Sequence, residues 1–259
     1  MIHELSCVHP DAQIGANVEI GPFVTIDKNV VIGDGTKIMS NATILEGARI
    51  GKNVTIFPNA VISAIPQDLK FRGEETTAEI GDNTRIRECA TVNRGTASKG
   101  KTIVGEDCLI MAYSHVAHDC VVGDHVILGN TTQLAGEVVV DDYAILSGGT
   151  LVHQFTHIGC HVIVQGGSRL GKDLPPYITA GREPISYAGI NIIGLRRRGY
   201  TEEQIKDIQE IYRIIYQSGL NVSQAIERIE QEIKPSVERS TIVDFVRSSE
   251  RGIVRCIND

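Results

Sequence analysis

The chain has 259 residues, 42% of them hydrophobic and 22% charged, with a formal net charge of -7. Such a chain is soluble and can bury a core of ordinary size in one domain or two; its acidic balance argues against general nucleic-acid binding, and without a run of 18 apolar residues it has no integral membrane segment. The six cysteines are scattered with no C-x-x-C pair, and MIHELSCVHPD shows no basic-then-apolar leader, so reduced thiols and a cytoplasmic location are expected.

From Val8 the chain falls into sixes: VHPDAQ, IGANVE, IGPFVT, IDKNVV, IGDGTK, IMSNAT, ILEGAR, IGKNVT, IFPNAV. Ile62 continues the register, which resumes at Ile80, Ile86 and Val92 and then runs from Val104 to Leu170. All 25 first positions are Ile, Val or Leu. Fifth positions are small or β-branched, as at Ala12, Val18, Thr36, Cys108, Ser114 and Cys120. Gly, Asp and Asn crowd the second to fourth positions, where turns need positive φ or side chains that bond their own backbone. A helix would not show period six, and a flat strand would show period two. A triangular coil with three six-residue sides accounts for the pattern. First residues fill the interior, and residue i lies beneath residue i+18, about 4.8 Å away. The sides make about eight coils, a prism roughly 40 Å long.

Two stretches leave the prism. They are SAIPQDLKFRGEETTAE at 63–79 and RGTASKGKT at 94–102, projecting loops of the kind that often carry binding residues. The period ends after Pro175, Pro176 and Tyr177. From Thr201 the spacing is helical, opened by a Thr201–Gln204 capping box and closed by Gly219. A second helix is expected over Val222–Ile233, before Pro235, and a third over Val237–Ser248. The expected division is a β-helical domain over 1–190 and a small helical domain over 191–259.

SHVAHDCVVGDH, residues 114–125, holds three histidines. Val116 is a first position and points inward, so His118, two residues on, points outward near a corner. Stacking by eighteen puts Gly136 over His118 and Gln154 over Gly136, with His153 offset by one residue. Three readings are open. His115, His118 and His153 could bind zinc if their nitrogens converged to about 2 Å from one ion. They could be surface residues without a role. Or His118 is a general base, because a neutral imidazole takes a proton from a hydroxyl near neutral pH, and Asp119 beside it could orient the ring. The outward cluster favours the base. Cys120 offers a rival covalent route, but a fifth position faces the core.

HVAHDC, GNTTQLAGEV, LVHQF, DLPPY and GLRRRGY, with the QDLKFRGE loop, extend over nearly the whole chain. In these segments the chain resembles the UDP-N-acetylglucosamine acyltransferases, hexapeptide-repeat enzymes built on a left-handed parallel β-helix followed by a small C-terminal α-helical domain. The hand is taken from that resemblance, since it departs from the right-handed crossover rule. The resemblance implies transfer of a 3-hydroxyacyl chain from acyl carrier protein to the 3-hydroxyl of UDP-N-acetylglucosamine, the first step of lipid A synthesis. It implies a homotrimer with sites between subunits, and no cofactor or metal. It makes His118 the base, Asp119 its support and the Gly136 N–H the oxyanion donor. His115, His153 and Gln154 resemble residues lining the cleft. Gln67, Asp68 and Lys70 match the loop that reaches the nucleotide sugar, and Asn191 and Arg197 match positions that contact the UDP part. Where relatives carry histidine after LAG, this chain has Glu137, so a contact to sugar or acyl group is replaced or lost there.

Gly166 is expected to leave the far end of the acyl groove open to a long chain, each buried CH₂ contributing about 0.8 kcal/mol. Arg169, Lys172, Arg182, Arg196, Arg197 and Arg198 form a basic cluster expected to dock the acidic carrier protein. The related N-acyltransferases carry an added N-terminal domain, whereas here the repeat begins at Val8. CoA-dependent acetyltransferases are not expected to share the QDLK loop or GLRRRGY.

Overall fold

The computed structural model describes residues 1–256. Its hexads form three parallel sheets, of nine, eight and eight strands among the described residues, that are the three faces of a prism, and two later strands extend the third sheet to ten. Neighbours in each sheet are one lap apart. His115 and Val116 pair with Gln133 and Leu134, which pair in turn with Leu151 and Val152, a spacing of eighteen. The register lengthens only where a loop intervenes, as between Ile50 and Ile80 or between Val92 and Val116. The coil has the left hand expected of it.

The interior is built from the first positions, all buried except Val8 and Ile14 in the half-open first lap. Fifth positions such as Val18, Thr36, Cys108, Ser114 and Cys120 are buried at the corners. The corner itself turns on the fourth position, which takes a left-handed φ: 57° at Asn17, 52° at Asp107 and 61° at Asp119. Asn and Asp tolerate that region because their short side chains bond the local backbone. Side chains just before each corner therefore point out from a rigid scaffold, in columns that climb the prism.

Around the two insertions the strands lengthen to Val61–Ala64, Thr77–Ile80 and Lys101–Val104, so the loops span 65–76 and 94–100. Past Leu170 the prism gains elements that the hexad period does not reveal. Ile178–Gly181 joins the sheet parallel to Ile163–Val164, and Ser186–Ile190 returns antiparallel to it. A six-residue helix, Ile192–Arg197, follows. Its run of β-branched residues and a glycine has no helical periodicity, so it was not expected from sequence. Then come the three expected helices, Glu202–Gln217, Val222–Glu232 and Val237–Ser248. The Thr201–Gln204 capping box is formed, and Gly219, at φ 74°, lies just past the first of the three. Ile205, Ile208, Tyr212 and Ile215 of that helix are buried, and Tyr212 Oη donates to Pro176 O at 2.5 Å. The helices are thereby fastened to the end of the prism.

His161 sits at that junction. Its ring stacks on Tyr143 at 4.9 Å and on Tyr177 at 5.6 Å, with Tyr200 edge-on at 5.3 Å. Burial, reinforced by the charge of Arg198, pushes its pKa down to about 4. Unfolding returns the ring to its ordinary value near 6.5. The unfolded chain therefore binds a proton first on acidification. This contribution to stability is whole above about pH 6.5 and is lost as pH falls toward 4, by on the order of 2 kcal/mol. Urea midpoints measured over that range should fall less steeply for His161→Phe than for the parent; equal slopes would contradict the assignment.

Candidate active site

The corner after Val116 carries His118 and Asp119. The Asp119 side chain is fully buried, and burial alone would raise its pKa. Hydrogen bonds reverse that. Oδ1 accepts from the N–H groups of Thr96, at 2.9 Å, and Lys99, at 3.2 Å. Oδ2 accepts from Thr96 Oγ1 at 2.6 Å and faces His118 Nδ1 at 2.8 Å. The bonds from Thr96 and His118 outweigh desolvation, and the carboxyl is held below its usual range. An ionised carboxylate only accepts, so the His118 proton belongs on Nδ1 and the Nε2 lone pair is free. Nε2 lies 3.9 Å from Asp68 Oδ2, on the first projecting loop.

Gly136 stands over the imidazole, as the eighteen-residue stacking predicts. A Cβ at Gly136 would lie 2.5 Å from His118 Cε1 and 2.6 Å from Nε2. The N–H of the next residue, Glu137, donates to His118 O at 3.0 Å, whereas the N–H of Gly136 has no acceptor among the described residues. A carbonyl oxygen that gained negative charge beside His118 would find that donor unengaged.

These groups open on a cleft of about 690 Å³. Gln67, His115, His118, Gly136, His153 and Gln154 all line it. One wall is a column of outward residues on one face of the prism: His115, Gln133, Leu151 and Arg169, each paired with the next. His115 Nδ1 is 2.7 Å from Thr91 Oγ1, and burial together with the neighbouring His118 lowers its pKa. His153 Nδ1 is 3.0 Å from Gln154 O. The three histidines thus have separate partners, and among the described residues no three His, Cys, Asp or Glu side chains are placed to share a metal ion.

Other expected residues lie elsewhere in the chain. Lys70 is exposed at the tip of the loop, where its N–H donates to Asp68 Oδ1 at 2.8 Å. Asn191 and Arg197 line a different cleft, of about 810 Å³, over the face that carries Ile145 and Ile163. Asn191 is buried there as the N-cap of the short helix, with Oδ1 accepting from Gly194 N at 3.0 Å and Nδ2 donating to His161 O at 2.9 Å. Gly166 sits on a different corner from His118, beside Gly148. The basic cluster is thinner than its sequence. Arg196 is paired with Glu202 at 2.7 and 2.9 Å, Arg198 donates to Tyr143 O at 3.2 Å, and Lys172 donates to Arg251 O at 2.6 Å. Arg197 and Arg169 are exposed.

Thr96, Lys99 and Thr102, whose hydroxyl accepts from Asp119 N at 2.8 Å, were not read as site residues. Their contacts to Asp119 cross 17 to 23 residues, through a loop that breaks the hexad register. The only sign in the sequence was that this loop departs from the prism immediately before the lap that carries His118.

Comparison with known proteins bears on the chain as a whole. Residues 173–254 match the family described as UDP-N-acetylglucosamine O-acyltransferase, domain 2, and residues 101–136 match the bacterial transferase hexapeptide family. A relative from Trichlorobacter lovleyi, named acyl-[acyl-carrier-protein]--UDP-N-acetylglucosamine O-acyltransferase, is 49% identical over 258 residues, covering 98% of this chain and 99% of its own. A relative of the same name from Halorhodospira halophila is 44% identical over 255 residues, with the same coverage. Among solved structures, the UDP-N-acetylglucosamine acyltransferase of Bacteroides fragilis is 61% identical, with a TM-score of 0.97 over 98% of this chain and all of its own. That of Francisella novicida is 44% identical, with a TM-score of 0.97 over all of this chain and 95% of its own. The repeat, the corner carrying His118 and Asp119, and likeness along almost the full length lead to one assignment: the chain belongs to the UDP-N-acetylglucosamine O-acyltransferase family.

Proposed function

We propose that the protein moves a 3-hydroxyacyl chain from acyl carrier protein to the 3-hydroxyl of UDP-N-acetylglucosamine, the opening step of lipid A synthesis, with His118 as general base. The observation that carries this reading is an imidazole whose Nδ1 is tied to a buried carboxylate, beneath a backbone N–H that has no partner among the described residues. Nε2 takes the sugar hydroxyl proton as the oxygen attacks the thioester carbonyl, and Asp119 stabilises the imidazolium that forms. The carbonyl oxygen becomes an oxyanion that accepts from Gly136 N–H. Collapse expels the carrier thiolate, and the imidazolium returns its proton to that sulfur. Asp68, with Gln67, reaches the cleft from a loop that can close on the sugar.

Asn191, Arg197 and Gly166 stand away from their own chain's cleft, which supports a homotrimer in which each serves a neighbouring copy. In that arrangement Arg197 meets the diphosphate, Arg169 is left for the acidic carrier, and Gly166 bounds the acyl groove. The carrier and nucleotide sugar imply a cytoplasmic location.

The rival is an acyl-cysteine. Cys120 is fully buried, its Sγ lies 3.1 Å from Ala135 O, and burial pushes its thiol up to about 12. A thiol of that kind is scarcely ionised at neutral pH and is a poor nucleophile. Cys120→Ala, assayed with UDP-N-acetylglucosamine and a panel of 3-hydroxyacyl carriers, should keep at least about half of the parent turnover with the same preferred chain. No acyl adduct should appear on the intact protein by mass spectrometry. Complete loss of turnover, or an adduct on Cys120, would establish the covalent route instead.

A further inference from the structure

We infer that Glu137 is a positioning residue, a strut that holds the 94–100 loop against Asp119 and thereby fixes the hydrogen bond that orients His118. The inference rests on the reading of His118 as the base. Glu137 occupies the corner one lap above Asp119, at φ 61°, a conformation unfavourable for a long side chain without a local bond of its own. The carboxylate is turned across the corner to the loop. Ser98 Oγ donates to Oε1 at 3.0 Å, and Lys99 Nζ lies 3.8 Å from Oε2. The same ammonium donates to Asp119 O at 3.3 Å. Ser98 N in turn donates to Thr96 Oγ1 at 3.1 Å, and it is this hydroxyl that donates to Asp119 Oδ2.

One unbroken chain of contacts therefore runs from Glu137 through Ser98, Thr96 and Asp119 to His118, with Lys99 as a second route. Three of the four donors to the Asp119 carboxylate come from this loop or through it, at Thr96 N, Thr96 Oγ1 and Lys99 N. Short of its two ends, the loop reaches the prism mainly through Asp119 and Glu137. If the Glu137 contact is lost, Ser98 and Lys99 are free to move, and the carboxylate loses donors that keep it ionised while buried. A histidine at this position could not accept from both Ser98 and Lys99, so the device belongs to the glutamate.

The test separates positioning from substrate contact. For Glu137→Ala, kcat should fall about tenfold with both KM values within twofold of the parent. The acidic limb of the kcat/KM pH profile should also move to higher pH, because a buried Asp119 carboxylate with fewer donors is protonated more readily. Glu137→Gln retains an acceptor for Ser98 and should recover most of the loss. Ser98→Ala should lower kcat in the same direction, and combined with Glu137→Ala it should add almost nothing. A raised KM for either substrate with unchanged kcat would mean that Glu137 touches substrate, and would overturn the proposal. So would unchanged kinetics in Glu137→Ala beside an inactive His118→Ala. An active His118→Ala would instead remove the base, and with it the reason for a strut. Thermal melts of each variant identify any that fails to fold, in which case Ser98→Ala and Glu137→Gln decide.

Discussion

Replacing His118 with alanine should lower kcat by about 10² to 10⁴-fold, the range that a positioned general base contributes. The KM for UDP-N-acetylglucosamine should stay within about threefold. The sugar hydroxyl keeps its proton until something takes it, and a free ring lone pair opens on the cleft beside Gly136. That is Nε2 of His118, whose other nitrogen is tied to Asp119 at 2.8 Å. His115 is a poor substitute, because its Nδ1 faces the neutral Thr91 hydroxyl at 2.7 Å and no carboxylate is there to stabilise an imidazolium, and it sits on the strand, not at the corner. The His118 side chain is 17% exposed and packs in no aliphatic core, so its removal should leave the melting temperature within a few degrees. Turnover within threefold of the parent, in a steady-state assay with acylated carrier protein, would sink the base assignment.

Gly136→Ala is the second decisive substitution, and its logic differs. Alanine can adopt the backbone conformation here, since φ is not in the left-handed region, and the N–H that would hold the oxyanion is retained. The obstacle is the added methyl group. It would come within 2.5 Å of His118 Cε1 and 2.6 Å of Nε2, distances that carbon atoms do not tolerate. The ring must rotate or slide, and either movement breaks the Nδ1 contact to Asp119 or turns Nε2 away from the cleft. A misplacement of about 1 Å at a catalytic group typically removes on the order of 10²-fold in rate, and that loss or more is expected in kcat. A circular-dichroism melt should show the fold intact, because the collision is on the outer surface of the prism. Near-parental kcat would mean that the ring at position 118 is free to move without consequence, contrary to its tie to a buried carboxylate.

The stacking at this corner is legible in the sequence. Val116 had to point inward as a first position, so His118 had to point out, and eighteen residues on stood Gly136. Gly136 does stand over the His118 ring, because the i to i+18 ladder repeats without slippage through that part of the prism. The three long helices were equally legible, since capping residues and the spacing of Ile205, Ile208, Tyr212 and Ile215 are local signals. The hairpin and short helix between 178 and 197 were not, because the hexad period had ended and no helical period had begun. Nor was the partial neutralisation of the basic cluster, where Arg196 meets Glu202 and Arg198 lies over Tyr143, 5.1 Å from the ring centre.

The amino-acid order alone determined the prism, its register and the outward direction of the imidazole, because in a solenoid each residue meets only its neighbours one lap away and the repeat states which those are. What the tertiary structure decided is how Asp119 stays charged inside the protein. Its donors come from a loop whose length and path obey no period, and whether Thr96, Ser98 and Lys99 reach the corner depends on packing in space, which no spacing along the chain records.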